Sequence, residues 1–127
     1  MLFVHEAFNL WWQAFVDGRR FVPHPDVAPT WHGYSTGTWE GNTLVVDSRG
    51  FNGKLWLDQL GKPSTEALHV TTRFTRRDFG HLDLRVTIDD PKAYTKPWTV
   101  AAGADLVLDS ELMEFICLEN ERDGRKK

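Results

Sequence analysis

Between Leu68 and Asp89 the chain alternates apolar and polar residues along two runs separated by a short turn. Leu68, Val70, Thr72 and Phe74 share one parity, and His69, Thr71, Arg73 and Thr75 share the other. After Arg77-Asp78-Phe79-Gly80 the scheme repeats, with Leu82, Leu84, Val86 and Ile88 set against His81, Asp83, Arg85, Thr87 and Asp89. Successive side chains of a strand point to opposite faces, so this period predicts a hairpin with one core-directed face and one polar face. A helix would scatter the same residues around its axis. On the polar face, opposite charges on neighbouring strands add a little cross-strand stability.

Turn residues extend the pattern along the chain. Asp17-Gly18, between Trp11–Val16 and Arg19–Val22, predicts a tight hairpin, and Gly41-Asn42 predicts another between Tyr34–Glu40 and Thr43–Ser48. Further strands are expected at Leu2–Phe8, at Trp98–Ala102 beyond the loop framed by Pro91 and Pro97, and at Leu112–Leu118. The helix candidate is Lys54–Leu60, within a long connection from Arg49 to Glu66 of the kind that often forms a lid or binding loop. Trp11, Gln13 and Phe15 alternate with Trp12, Ala14 and Val16, so this early strand needs cover on both faces. A sheet closed on itself, or a homodimer, would supply that cover. The expected fold is a single all-β domain over residues 1–127, with 119–127 as a frayed tail. Its form would be an antiparallel meander of about eight strands, a lipocalin-like barrel or a closed sandwich, with at most one short helix.

Composition narrows the function classes. A chain of 127 residues can bury a core without metal or disulfide staples. A net charge of -3, with basic residues scattered except at Arg122, Arg125, Lys126 and Lys127, gives no footprint for nucleic acid. Cys117, the single cysteine, can form no internal disulfide and reads as a small core hydrophobe. No apolar stretch is long enough to predict a membrane span. Met1-Leu2-Phe3-Val4 lacks the basic lead of a signal peptide and is interrupted by His5 and Glu6. It reads as a strand without its usual lead-in, as expected of a processed or truncated form. No P-loop, dinucleotide fingerprint or nucleophile elbow is present, so no cofactor is expected.

From Trp31 to Trp98, over half the chain, the sequence resembles a widespread family of bacterial proteins. Gly37-Thr38-Trp39-Glu40-Gly41-Asn42-Thr43-Leu44-Val45-Val46-Asp47 is similar to the family's G-x-W-E-G-D-T-L-V-V stretch. The likeness continues through Gly50-Phe51-Asn52, Trp56-Leu57-Asp58, Leu68-His69-Val70, Arg73-Phe74, Asp89-Asp90-Pro91-Lys92 and Tyr94-Thr95-Lys96-Pro97-Trp98. The resemblance implies an extracytoplasmic home and no particular reaction. Asn42 stands where the family commonly has Asp, a change that a turn tolerates. Thr72 stands where an acidic residue is frequent, which weakens any mechanism needing a carboxylate there.

Three constellations could carry chemistry. In the first, His69 and Arg73 face Asp83, Arg85 and Asp89 across a hairpin. Lining a cavity, His69 would act as general base held by a carboxylate, with Arg73 anchoring an anion. Facing water, the same residues are a solvated sheet surface. In the second, His24, Asp26 and His32 lie close together and could join a metal site, with His5 as a distant ligand. Their spacing matches no established ligand motif, and His24-Pro25-Asp26 is also ordinary turn chemistry. In the third, Asp58 beside Trp56 in an apolar pocket would have a raised pKa suited to a general acid, or would simply make a turn with Lys62 nearby. Glu40 and Asp47 read as register and turn determinants rather than a glycosidase pair.

Tryptophan is in surplus, at Trp11, Trp12, Trp31, Trp39, Trp56 and Trp98. Such an excess suits a cavity for a small apolar or aromatic ligand, with Trp11, Tyr34, Trp39, Trp56 and Trp98 as candidate contacts. The alternatives are an enzyme in the same cavity, using His69 with Asp58 or Asp89 for isomerisation, elimination or hydrolysis, and a carbohydrate-stacking or oligomeric interaction module.

Overall fold

The computed structural model describes residues 1–23 and 26–114. Seven strands form one sheet, β1 (Leu2–His5), β2 (Leu10–Phe15), β3 (Tyr34–Glu40), β4 (Thr43–Arg49), β5 (His69–Arg76), β6 (His81–Asp89) and β7 (Trp98–Asp105), paired in chain order. The sheet is curled into a half-barrel, so the expected all-β, barrel-like meander is what the chain forms. Every pairing is antiparallel except β2 with β3, which run parallel.

That exception overturns the hairpin expected at Asp17-Gly18. The turn exists, since the Arg19 amide donates to Asp17 Oδ1 at 3.2 Å and Gly18 takes φ 84°. It opens a connection rather than a hairpin, and Arg19–Val22 is not a strand. Parallel neighbours need a crossover of a dozen or more residues, and residues 16–33 provide it. β1 also stops short of Phe8, because Phe8 and Asn9 take positive φ (61° and 48°) where a 3₁₀ turn reverses the chain into β2. Lys54–Leu60 is not helical; Asp58 Oδ1 accepts from the Leu60 and Lys62 amides instead, which folds the segment into a turn. Leu112–Glu114 form no strand, while the rest of the strand expected to Leu118, Cys117 and the tail 119–127 lie outside the described residues.

The central hairpins form as their alternation requires. Gly41 carries the positive φ (61°) of the β3–β4 turn, at the position where a tight hairpin demands glycine. Asn42 is spared it, and its side-chain amide reaches the Arg76 carbonyl at 3.4 Å. Registers Leu44↔Phe74, Val46↔Thr72 and Phe74↔Leu84 put the apolar parities of β4, β5 and β6 on one face. On that face Ala14, Leu44 and Val46 are buried with Phe3, Trp12 and Phe74 packed around them, and Phe3 stacks on Trp12 with centroids 4.1 Å apart. A second core cluster, Phe51, Leu68 and Ile88 with Tyr94 and Trp98 against it, lies towards the end where β4 finishes and β5 begins. The opposite face carries Tyr34, Thr36, Asp47, Arg49, His69, Thr71 and Asp89.

Candidate ligand-binding cleft

The start of β3, the end of β4 and the start of β5 meet at one end of the sheet, and the 16–33 connection folds over them. Two backbone hydrogen bonds tie the connection down, Thr30 N–H to the Gly50 carbonyl at 3.0 Å and Asn52 N–H to the Thr30 carbonyl at 2.8 Å. Gly33 permits the close approach. It takes φ 67°, and a Cβ there would lie 2.5 Å from the Arg49 carbonyl oxygen.

Aromatic rings set the spacing of connection and sheet. Phe15 stacks on Tyr34 at 5.3 Å between centroids, and Phe21 leans on the same Tyr34 at 6.0 Å. The Arg19 guanidinium sits 4.0 Å over the Phe15 ring and donates to the Tyr34 hydroxyl at 3.3 Å. Asp17 holds that guanidinium with a hydrogen bond of 2.7 Å, and the pairing keeps the Asp17 carboxyl below its ordinary value. The result is an open cleft of about 760 Å³. Its apolar lining comes from Phe21, Val22, Val27, Phe51 and Leu68; its polar groups include Arg20, Arg49, Tyr34 and His69.

His69 does not stand alone in that lining. Its Nε2 hydrogen-bonds Asp47 Oδ1, and the Thr71 hydroxyl donates to the same oxygen at 3.2 Å. Arg49 Nε lies 3.8 Å from the other Asp47 oxygen. An ionised carboxylate only accepts, so the proton of a neutral His69 resides on Nε2 and Nδ1 keeps its lone pair. The His69 side chain is only 24% exposed, so the ring is held in place and partly screened from water. This is an oriented imidazole with a carboxylate behind it, able to accept a proton from a bound molecule.

The expected site residues scatter. Asp89 is opposite His69 in the β5–β6 register and on the same face, yet the hydrogen-bonded carboxylate is Asp47 on β4. Arg73 stands four positions along β5, about 13 Å away at strand rise, and its Nη2 donates to Glu40 at 2.6 Å. Asp58 is separate from both. The Lys62 ammonium, with two backbone amides, holds its carboxyl below the ordinary value, opposite to the raised pKa a general acid would need. Trp56 is 71% exposed and buries no carboxylate.

Of the expected ligand contacts, Tyr34 lines the cleft. Trp11 borders a smaller recess of about 180 Å³ shared with His32 and Tyr34. Trp39 is exposed on the opposite face of the sheet from Trp11, so the two do not form one stacking platform. Trp98 packs edge-on against Tyr94 at 5.7 Å in the second core cluster, and its Nε1 is buried with no hydrogen-bond partner among the described residues. His24 lies outside the described residues, and no group of His, Cys, Asp or Glu able to hold a metal occurs among those described, Asp26 and His32 included. His5 is occupied differently, accepting from Trp12 Nε1 at 3.1 Å.

Arg49 is a site residue without a signal of its own in the sequence, and Asp47, expected as a register and turn determinant, is instead the carboxylate that holds His69. Their parity against Leu44, Val46 and Ser48 was the available signal, because it puts them on the same face as His69 once the Gly41-Asn42 turn sets the register. No protein-family model, curated protein or solved structure matches the chain.

Proposed function

We propose that this half-barrel binds a small apolar or aromatic molecule in the cleft between residues 20–23 and 27–30 and the β3–β4–β5 end of the sheet. The supporting observation is the lining itself: Phe21 and Val27 from the connection and Phe51 and Leu68 from the sheet end, with the polar groups Arg20, Tyr34, Arg49, Glu66 and His69 among them. Concave apolar sites with sparse, fixed polar groups are the usual form of small-molecule sites. The test is ligand-observed NMR with a panel of small aromatic and aliphatic compounds, followed by amide shift mapping on labelled protein. Shifts should concentrate at Phe21, Tyr34, Arg49, Phe51 and His69. A panel without binders, or shifts centred on β7, would remove this reading.

A second reading, acid–base catalysis in the same cleft, rests on the His69–Asp47 hydrogen bond. His69 would accept a proton through Nδ1 while Asp47 holds the ring and steadies the resulting imidazolium. Replacing His69 with Ala should then abolish turnover of a bound compound and leave its affinity nearly unchanged. Wild-type protein that binds a compound and never transforms it supports binding alone.

A further inference from the structure

We infer that the ligand of this cleft is an amphipathic anion, with an apolar or aromatic body seated on Phe21, Val27, Phe51 and Leu68 and an anionic oxygen headgroup held by Arg49 and Arg20. This rests on the cleft being the binding site, and it adds the charge of the ligand and the residues that read it.

The charged groups around the cleft differ in how fully they are hydrogen-bonded. Both carboxylates at its edge are occupied. Asp47 accepts from His69 and Thr71, and Glu66 is paired with the Lys92 ammonium, which holds the Glu66 carboxyl below its ordinary value. The two guanidinium groups of the lining have no such close partner. Arg49 makes only a long ion pair with Asp47, at 3.8 Å and beyond hydrogen-bond range, and Arg20 has no carboxylate within ion-pair range among the described residues. By contrast, Arg19 is hydrogen-bonded by Asp17, Arg73 by Glu40 and Arg76 by the Asp78 carbonyl. Of the acidic and basic side chains that line the cleft, Arg20 and Arg49 are cationic and Glu66 is the one carboxylate, in a protein whose net charge is -3. A guanidinium carries five donors in a planar fork that matches carboxylate and sulfonate oxygens. Beside an apolar wall, that fork is most strongly used by a ligand whose charged end stays at the rim while its body is buried.

Two dyes with a common body separate the two claims. 1-Anilinonaphthalene-8-sulfonate is anionic, and N-phenyl-1-naphthylamine is the same ring system without the sulfonate. Fluorescence titration should show the anionic dye binding roughly tenfold more tightly, the scale of one charge-assisted contact. Arg49→Gln should bring its affinity down to that of the neutral dye, with the neutral dye unaffected. Phe21→Asp, in the connection rather than the core, should weaken both. Equal affinity of the wild type for the two dyes, or an anion preference that survives both Arg49→Gln and Arg20→Gln, overturns the anion inference and leaves the cleft intact. No saturable binding of either dye, or binding indifferent to Phe21→Asp, overturns the cleft reading beneath it.

Discussion

The sheet from β3 to β6 and the stretch before it are built on different terms. In β3–β6 each strand has one apolar parity, tight turns set the offset, and the buried side chains Leu44 and Val46 follow from that offset. The first 33 residues have apolar side chains on both faces of β2, and although a 3₁₀ turn pairs β2 with β1, no tight turn sets its pairing with β3. Their path is settled by a parallel pairing of Ala14↔Ser35 and Phe15↔Thr36, by aromatic stacking on Tyr34 and by two backbone bonds at Thr30. Local pattern therefore specifies the scaffold, whereas contacts between distant residues specify the wall of the cleft. A region held by few long-range contacts opens more readily than a ladder does, and a ligand site benefits from that difference.

The largest expected effect breaks the comparison on its scaffold side. Leu44 is 3% exposed and Trp11 is 62% exposed. Leu44→Ala should destabilise the protein by about 2–5 kcal/mol through lost burial and the cavity left behind. Trp11→Ala should change stability by roughly 0.5 kcal/mol or less, as for other exposed positions. Urea denaturation with tryptophan-independent detection, such as circular dichroism, measures both. Similar losses would mean that β2 is as firmly embedded as β4, and the contrast between the regions would fail.

The same contrast explains what the sequence reveals. Period-two alternation and Gly41-Asn42 are signals between neighbours in the chain, so the β3–β4 and β5–β6 hairpins, their faces and the core parity could be read directly. Asp17-Gly18 gives the same local signal with a different outcome, because a turn dipeptide says nothing about whether the next residues find a strand to pair with. Arg19 stacks over Phe15 and bonds Tyr34, which draws the chain away from β2 instead of back along it. For the site, His69 was legible as a polar residue on an alternating strand. Its partner was not: Asp47 and Asp89 both face it from adjacent strands, and only side-chain geometry distinguishes them. Phe21 and Arg20 carry no periodic signal at all, since they lie in a connection whose position is set by tertiary contacts.

A smaller effect sharpens the comparison at the junction of the two regions. Gly33→Ala puts a Cβ 2.5 Å from the Arg49 carbonyl oxygen at a φ of 67°, while Gly18→Ala, at φ 84°, meets nothing within 4 Å. Gly33→Ala should therefore destabilise by about 1–3 kcal/mol, from backbone strain and displacement of the connection. Gly18→Ala should lose only the left-handed penalty of roughly 1 kcal/mol. Amide exchange at Thr30 and Asn52 should quicken in Gly33→Ala and stay unchanged in Gly18→Ala. Unaltered exchange at Thr30 would show that the connection is held by something other than its two backbone bonds.

The smallest effect belongs to a third connection, residues 50–66, where a turn is held by charge instead of by aromatic stacking. Asp58 is bonded by the Lys62 ammonium and by the Leu60 and Lys62 amides, and all three lower its pKa from the ordinary 3.8. A carboxylate whose folded-state pKa is depressed adds stability at pH values above its unfolded value. That contribution is fully present above about pH 4 and disappears as the pH falls through the lowered folded value. Because the group is exposed, solvent screens the pair and the effect on global stability is small. The titration itself is the better observable. In Lys62→Met, the carboxyl carbon of Asp58 should titrate at a higher pH than in the wild type, yet still below an unrestrained aspartate, because the two amide donors remain. An Asp58 midpoint unmoved by the substitution would assign the turn to its backbone amides alone, and charge would then have no part in shaping this connection.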